Sequence, residues 1–524
     1  MGRHSCLPSL IAHVRAPCGR SCVRSSRARA AASASDRDRV DAALFALGAP
    51  ALASVLLDPF MGAIDTAYVG RLPSDDALSA LAVSATCFSF CFKMFNFFAV
   101  VVGAATARAN GNASANEDGE WRDDDFRAKA REIVSASVVV AFALGCATCI
   151  GLEWFSDEAL YACGATRGVG VEAFQGVENA GATTMNSVLW DDAEKYLRIR
   201  ALALPAATVS LVGVGAFRGL LDAKTPLVVA CVVEAVHFAL DPILIFGFGP
   251  IVGMDVAGAA IATTTAEWIG AALFVKYMMD ERILDARAMF TAPKELDELA
   301  ALARGSSAQL TRTVFLQVVL VSATATASTL GVAGAHQLCL QLWWVTLFGL
   351  DSIAVSAQAL VAASLGKNDV VGARNAADRA LQWGVSAGVI VGAVVFALAP
   401  SIPYLFTNDA SIAAEAVTPI RIIALLQPLN SAVFVGDGVL QGASDFDYLA
   451  KAMAFAAGVG ALGIAVYSSA DDASLASVWA GVAALMTARA ATLGWRYYRD
   501  DASPLRIERA LEAVAYSIDD VDER

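Results

Sequence analysis

Two pairs of ionisable residues lie inside apolar stretches of the sequence, and a proline follows one carboxylate of each pair. Asp58 and Asp65 are seven residues apart, on nearly the same face of a helix, and His237 and Asp241 are spaced i, i+4. A proline leaves one backbone carbonyl of its helix without the usual hydrogen bond. A buried carboxyl group beside such a carbonyl can bind and release a proton or hold a small cation. The sequence therefore predicts a cation-coupling site made of Asp65, His237 and Asp241.

Further charged and amide side chains interrupt the same kind of apolar sequence. A charge inside a helix bundle is costly unless it is paired, hydrated or protonated. Each of these charged side chains must therefore have a structural or functional role. We expect these residues to line a substrate cavity; internal ion pairs that hold helices in register are the alternative for Asp58, Asp351 and Asp437. The residues are Asp58, Lys93, Asn96, Arg312, Gln341, Asp351, Gln358 and Asp437.

The elements that must position these residues are membrane-spanning helices. The chain has 524 residues, of which 57% are apolar and 17% charged, and its mean hydropathy is +0.56. Its apolar runs are long enough to cross a hydrocarbon layer of about 30 Å as helices. We therefore predict an all-α polytopic membrane protein with twelve transmembrane helices. The predicted helices cover residues 40–70, 77–106, 127–152, 192–220, 224–247, 254–279, 300–329, 332–365, 370–399, 411–442, 446–468 and 473–498.

Lysine and arginine residues mark one face of this predicted bundle, which we call the positive face. They follow the second, fourth, sixth and eighth predicted helices, whereas the opposite loops 248–253, 330–335 and 469–472 have none. By the positive-inside rule, the positive face and both chain termini lie on the cytosolic side or its organellar equivalent. This assignment fits an even number of spans.

Composition excludes several classes of function. The net charge is −13 without an extended basic face, which excludes a nucleic-acid partner. Outside the N-terminal segment only His237 and His336 remain, so a multi-histidine zinc site is excluded. We predict no metal, no cofactor other than the coupling ion and no catalytic residue. An intramembrane enzyme is disfavoured because a motif such as H-E-x-x-H is missing.

The fourth and tenth predicted helices match each other at a constant offset of 223 residues, pairing Pro205 with Pro428 and Gly215 with Gly438. A duplication of six helices keeps the same orientation in the membrane and places a site between the copies. We predict two pseudo-symmetric six-helix lobes around a central cavity. The predicted domains are a leader at 1–39, an N-lobe at 40–279, a linker at 280–299, a C-lobe at 300–498 and a tail at 499–524.

The N-terminal segment has the composition of an organelle transit peptide. Residues 1–35 contain six Arg, seven Ser, seven Ala and no acidic residue. We expect the segment to be removed and the protein to lie in the plastid envelope. A mitochondrial or other cellular membrane is the alternative.

Several segments resemble the multidrug and toxic compound extrusion (MATE) family and, within it, the DinF-like branch of plant and algal plastid type. The matching segments follow in order through most of residues 40–498. They are Asp58-Pro-Phe-Met-Gly-Ala-Ile-Asp65, Phe217-Arg-Gly-Leu-Leu-Asp222, Leu240-Asp-Pro-Ile243, Ala335-His-Gln-Leu338, Ala357-Gln-Ala-Leu360 and Asp437-Gly-Val-Leu-Gln-Gly442.

The resemblance implies a V-shaped cavity and export of organic solutes in exchange for inward flow of H+ or Na+. It also implies that protonation of Asp65 accompanies bending of the first helix, and that Asp241 belongs to the cation site of the N-lobe. The chain departs from the family's pattern at His237, where relatives have Asn. An imidazole suits proton traffic better than an amide does, so we predict coupling to H+ rather than Na+.

The class of solute stays open at this stage. The acids Asp65, Asp241 and Asp437 suit an organic cation, whereas Lys93 and Arg312 could hold a carboxylate, and plant-type relatives include exporters of organic acids and phenolics. A flippase for lipid-linked precursors shares the architecture, but Lys93 and Arg312 alone are few cations for its phosphates. The expected partners are a small organic solute, the coupling cation and membrane lipid, and we expect a monomer.

Overall fold

The computed structural model of the chain describes most of the predicted membrane region. The described residues are 37–57, 68, 84, 87–88, 90–113, 123–162, 165–167, 183–185, 187–285, 296–406, 410–469 and 473–506. Asp58, Asp65 and residues 1–36 of the predicted leader lie outside the described residues.

Helices make up nearly all of the described chain. The α-helices are α1 Arg37–Leu57, α2 Phe97–Ala113, α3 Asp123–Trp154, α4 Ser156–Ala162, α5 Ser187–Ala201, α6 Leu204–Gly219, α7 Lys224–Ile245, α8 Asp255–Asp280, α9 Leu296–Thr329, α10 Ala333–Gly366, α11 Val370–Leu398, α12 Ala410–Gly442, α13 Phe446–Ser468 and α14 Leu475–Tyr498. A short 3-10 helix spans Ile402–Leu405. The strands are β1 Ala165–Arg167 and β2 Thr183–Met185, a parallel pair, and β3 Gly247–Phe248 and β4 Ile251–Val252, an antiparallel pair.

The number of spans agrees with the prediction from hydropathy. Within the described residues, eleven helices are long and apolar enough to cross a membrane, and a bent pair, α5 and α6, makes a twelfth. The continuously described part of the second span runs over Phe90–Gly111 and ends later than the predicted residue 106. The fold class predicted from the sequence, an all-α polytopic membrane protein, is confirmed.

The fourth span is not the continuous helix that the sequence predicts over 192–220. It bends by 45° between α5 and α6, just before Pro205, because a proline cannot donate the hydrogen bond that would continue the helix. Side chains of α8 satisfy carbonyls at the break: Thr264 Oγ1 donates to Ile199 O at 3.1 Å, and Trp268 Nε1 donates to Leu202 O at 3.1 Å. The bend is therefore held by contacts with a neighbouring helix.

The helices pack into two groups, which we call the N-lobe (α2 to α8) and the C-lobe (α9 to α14). In the N-lobe, α6 contacts α2, α3 and α8; in the C-lobe, α12 contacts α10, α11 and α14. Each lobe has its own buried apolar clusters. Helix α1 lies at the boundary between the lobes, since Leu47 shares a buried apolar cluster with Ala223 of the N-lobe and Ala359 of the C-lobe.

The internal duplication is visible in how the helices approach one another. A Cβ added to Gly145 of α3 would collide with the backbone of Leu204 and Pro205, and one added to Gly388 of α11 would collide with that of Gln427 and Pro428. These are equivalent positions of the two lobes. Small residues let helices pack closely in lipid, where dispersion contacts drive association. The repeated glycines therefore serve packing, as their spacing predicts.

The same duplication shapes the turns that end α6 and α12. Leu221 and Ser444 both adopt a left-handed conformation, with φ of 62° and 58°. The amides of the next residues, Asp222 and Asp445, donate to Phe217 O and Leu440 O, each at 2.9 Å. A residue with φ above zero followed by such a bond closes a helix end. Two turns with this uncommon geometry at matching positions support descent from one ancestral unit.

Several of the contacts that join α1 and the N-lobe to the C-lobe lie at the helix ends that meet the positive face. Asp41 of α1 accepts hydrogen bonds from Arg379 of α11, at 2.6 Å for the Nη2–Oδ2 pair, and from Trp383 Nε1 at 3.0 Å. Nearby, Gly111 of α2 and Gly366 of α10 lie in direct backbone contact. The structure therefore shows the state in which the lobes are closed at the positive face.

The Gly111–Gly366 contact leads to a testable expectation. We expect Gly366→Val to open the positive face, because its Cβ would overlap Arg108 O. Overpacking of this kind costs about 1–3 kcal/mol, which corresponds to about a 5- to 150-fold loss in the population of the closed state. Spin labels at the exposed positions 224 and 367 would report the distance between the lobes.

Gly349→Val in the same helix is the matched control, because a Cβ at Gly349 meets no atom within 4 Å. An unchanged distance distribution in Gly366→Val would contradict the assignment of this contact as the closed face.

Candidate functional site

The structure brings two of the three predicted coupling residues together on the buried face of α7. His237 Nε2 lies 3.3 Å from Asp241 Oδ2, and the exposed fractions of the two residues are 4% and 0%. Thr263 of α8 lies 3.1 Å from His237 Nε2 through its Oγ1. The predicted pairing of His237 with Asp241 is thus present in the fold. Asp65, the third residue, lies outside the described residues.

The hydrogen bonds indicate which nitrogen of His237 carries the proton. Thr263 Oγ1 has a single proton, and it is directed at Ala259 O at 2.8 Å. The hydroxyl oxygen therefore accepts from His237 Nε2–H, and Asp241 Oδ2 lies 3.3 Å from the same nitrogen. Nδ1 is then the nitrogen that can accept a second proton.

An acid that the sequence analysis did not single out lies next to that nitrogen. Glu234 Oε2 is 3.7 Å from His237 Nδ1, and the Glu234 side chain is 15% exposed. Among the described residues, this oxygen has no hydrogen-bond partner. The i, i+3 spacing of Glu234 and His237 places both on one helix face, and this spacing could have revealed it. The site is therefore a series, Glu234, His237 and Asp241, along α7.

Tyr68 shows that the chain just after Asp65 reaches the same helix. Its ring centroid lies 6.4 Å from that of Phe238 and 6.2 Å from that of Phe246, at the end of α7 that carries Asp241. Asp65 precedes Tyr68 by three residues in the sequence.

The C-lobe holds its buried carboxylate in a different environment. Asp437 of α12 accepts hydrogen bonds at the same oxygen, Oδ2, from Arg312 of α9 and from Arg489 of α14. Asp437 is 4% exposed and Arg489 2%. The guanidinium group of Arg489 also lies 5.2 Å from the ring centroid of Phe434. Asp437 is thus the central residue of a buried Arg–Asp–Arg cluster, and Arg489 is a member that the sequence analysis missed.

The remaining predicted cavity residues do not form one cluster. Gln358 Nε2 donates to Val100 O at 2.7 Å across the lobe interface. Lys93 Nζ lies 5.2 Å from the ring centroid of Trp344, also across the interface. Asn96 lies in a turn where the second span is interrupted, and Gln341 is exposed. Their assignment to a substrate cavity stays a prediction.

Asp351 of α10 extends the charged group of the C-lobe. The charged residues that act on it are Arg218, Arg312 and Asp437. Arg218 belongs to α6 of the N-lobe; within the C-lobe, Arg312 and Arg489 balance Asp351 and Asp437, so the formal charge of this group is zero. The buried series of the N-lobe carries two acids and one histidine. The C-lobe thus balances its buried acids with arginines, whereas the series on α7 does not.

One further buried ion pair was not predicted. Arg200, at the end of α5, donates from Nη2 to Glu267 Oε1 of α8 at 2.9 Å, and its guanidinium group lies 3.9 Å from the ring centroid of Phe88. It lies beside the break in the fourth span. Because Glu267 and Phe88 both belong to the N-lobe, we assign this ion pair to holding that bend.

Within the part of the chain that the structure describes, no group of three or more His, Cys, Asp or Glu side chains is placed to hold a metal ion.

Twelve spans in two duplicated lobes, with ionisable groups buried inside the helices, are the architecture of secondary transporters built from parallel repeats. The chain belongs to the MatE family, whose sequence pattern it matches over residues 50–243 and 308–466. It is therefore a membrane transporter and not an enzyme.

Similar proteins place it within that family. Protein DETOXIFICATION 44, chloroplastic, from Arabidopsis thaliana is 28% identical over 456 residues, which are 86% of this chain and 81% of the relative. DNA damage-inducible protein F from Escherichia coli (strain K12) is 28% identical over 339 residues, 63% of this chain and 64% of the relative. These similarities confirm the resemblance to the DinF-like branch of plastid type.

Solved structures share the fold. A MATE crystal structure in the bent conformation gives a TM-score of 0.74 at 17% sequence identity, covering 92% of this chain and 98% of that chain.

Proposed function

We propose that this transporter is an antiporter that exports organic solutes in exchange for protons. The observation that carries the proposal is the buried contact between His237 Nε2 and Asp241 Oδ2 at 3.3 Å. An ionised carboxylate at the centre of a spanning helix costs about 2.5–3.5 kcal/mol on insertion scales. Burial therefore favours a carboxyl group that is protonated or paired with a neighbouring side chain. An acid that binds and releases a proton can alternate between these two states.

The order of the groups along α7 suggests a path for the proton. The helix begins at the positive face with Lys224 and ends on the opposite side with Ile245. Glu234 is therefore nearer the positive face than Asp241, with His237 between them. At 1.5 Å per residue, the two acids are separated by about 10 Å along the axis. For a proton to enter at Asp241 and leave through Glu234, the imidazole first shifts its own proton from Nε2 to Nδ1. Nε2 then takes the proton of Asp241 and Nδ1 releases its proton to Glu234, which restores the starting tautomer.

Asp65 completes the proposed coupling site. Asp65 precedes Tyr68, whose ring lies against the Asp241 end of α7, by three residues in the sequence, and we propose that it takes part in the same proton path. Protonation of Asp65 removes a charge that the first helix would otherwise have to hydrate or pair, and this changes which conformation of that helix is favoured. Bending of the first span is then linked to proton binding.

The exchange follows from binding to two states of one protein. In the state seen here, the lobes touch at the positive face, through Asp41 with Arg379 and Gly111 with Gly366. In the other state these contacts separate and the solute enters from that face. If proton and solute favour opposite states, each lowers the affinity for the other by the same factor, typically about 5- to 150-fold. That reciprocity converts the proton gradient into solute export.

The distribution of charge favours a solute that carries a carboxylate. Arg312 and Arg489 neutralise Asp437. An organic cation could therefore bind this carboxylate only if both ion pairs were broken. Lys93 beside the Trp344 ring provides a cation next to an aromatic surface instead. An aromatic or aliphatic organic acid fits these groups.

We also propose that the protein acts in the plastid envelope as a monomer that needs no metal or cofactor beyond the coupling ion. The transit-type composition of residues 1–35 supports the location, and so does the description of the Arabidopsis relative as chloroplastic.

Transport by the purified full chain in proteoliposomes tests the proposal. Efflux of an aromatic carboxylate and of a cationic dye would be followed under an imposed pH gradient and, separately, under a Na+ gradient. We expect the pH gradient alone to drive efflux, and to drive that of the carboxylate faster. Transport that follows the Na+ gradient and ignores the pH gradient would refute proton coupling.

A further inference from the structure

A cleft of about 410 Å³ lies between the two lobes near the positive face. The N-lobe contributes α2 and α3 to its walls, and the C-lobe contributes α9 and the start of α13. The lining residues are Val101, Ala105, Arg108, Ala109, Lys129, Ile133, Leu302, Arg304, Gly305, Ser444, Phe446 and Asp447. It is separate from the proton path on α7 and from the Arg–Asp–Arg cluster.

Cations from both lobes meet in this cleft. Arg108 and Lys129 come from the N-lobe and Arg304 from the C-lobe, while Asp447 is the one acid among the lining residues. The formal charge of the lining is therefore +2. Arg108 Nη2 donates to Ala443 O at 3.0 Å, whereas its Nε is buried without a hydrogen-bond partner among the described residues. Part of its donor capacity is left for a ligand.

The cleft is also amphipathic along the membrane normal. On α3, Ile133 lies one turn deeper than Lys129, and on α2, Val101 and Ala105 lie deeper than Arg108. Phe446 and Leu302 add apolar surface on the C-lobe side. On the N-lobe wall, charged groups thus lie toward the positive face and apolar groups toward the membrane interior. This order matches an amphiphile with an anionic head group.

We propose that the cleft binds an anionic amphiphile through its phosphate group, as a phospholipid of the membrane would present it. Arginine and lysine are the side chains that recognise phosphate oxygens, and basic pockets between spanning helices on this side of a membrane suit such head groups. Because the cations come from both lobes, the bound phosphate joins them. The ligand therefore stabilises the state closed at the positive face, independently of which ion drives transport.

Thermal unfolding of the full chain, purified in detergent and stripped of lipid, tests this site. Phosphatidylglycerol, phosphatidylcholine and inorganic phosphate would each be added to the wild type and to Lys129→Gln/Arg304→Gln. Both of these residues are exposed, so the double variant is expected to fold. Lys367→Gln, an exposed cation of the same face outside the cleft, is the matched control.

We expect phosphatidylglycerol to raise the unfolding temperature of the wild type and the control by several degrees, and the rise to be at least halved in the double variant. Phosphatidylcholine and inorganic phosphate are expected to have little effect. An equal rise in the double variant would overturn the site. A full effect of inorganic phosphate alone would overturn the amphiphile and leave a site for a soluble anion.

Discussion

Asp241→Asn is expected to abolish proton-driven efflux while leaving the protein folded. Asparagine has the shape of aspartate, but it cannot take up and release a proton. Loss of the coupling free energy, typically about 1–3 kcal/mol, removes the exchange of solute for protons. Asp65→Asn should act in the same way if that residue shares the site. Efflux from proteoliposomes under a pH gradient measures both effects.

The matched control for this experiment is Asp280→Asn, which changes an exposed carboxylate at the end of α8 in the same lobe. It should transport at the rate of the wild type. Normal pumping by Asp241→Asn would exclude the α7 series as the coupling site. Solute exchange that persists without a gradient would be compatible with the proposal, because exchange needs the lobes to move but needs no net proton transfer.

Asp437→Asn is expected to have the largest effect on stability. Arg312 and Arg489 both donate to one oxygen of Asp437, so removing its charge leaves two buried guanidinium groups facing each other. Breaking a buried pair by removing one partner costs about 3–5 kcal/mol, because the remaining charge is uncompensated. Thermal unfolding in detergent should show a large decrease in the unfolding temperature.

Asp378→Asn is the comparison within the same lobe. Its carboxylate pairs with Arg374 at 3.6 Å and its side chain is 45% exposed. Ion pairs at such exposed positions are worth about 0–1 kcal/mol, so a small change is expected. If Asp437→Asn kept its stability and lost transport, the cluster would be part of the transport site instead of a structural centre.

The two lobes thus use similar residues for different purposes. In the N-lobe, Asp241 lies beside a histidine, a side chain that can accept a proton at one ring nitrogen and release one from the other. In the C-lobe, Asp437 lies between two arginines, which remain charged at any pH the protein meets. A duplicated ancestor offers both lobes the same backbone positions, and the neighbours decide which carboxylate can exchange protons.

Hydropathy and residue spacing alone were enough to predict the spanning helices and the residues that share a helix face. Each spanning helix satisfies its own backbone hydrogen bonds in lipid, so runs of apolar residues predict the twelve spans without knowledge of their neighbours. The face shared by His237 and Asp241 follows from the helical period, and the matched glycines of the sixth and twelfth α-helices follow from the duplication. The bend before Pro205 could have been suspected from the proline but not located in detail.

Only the tertiary structure decided which charges meet. Arg489 and Asp437 are 52 residues apart in the sequence, and Arg312 and Asp437 are 125 apart. Whether a buried carboxylate is paired or able to exchange its proton depends on side chains from other helices, which no local pattern specifies. The closed positive face and the basic cleft likewise depend on how the lobes dock. Contact with lipid requires each spanning helix to be apolar, so the sequence of that helix alone predicts it. Ion pairs and clefts form between helices and therefore depend on how the helices pack.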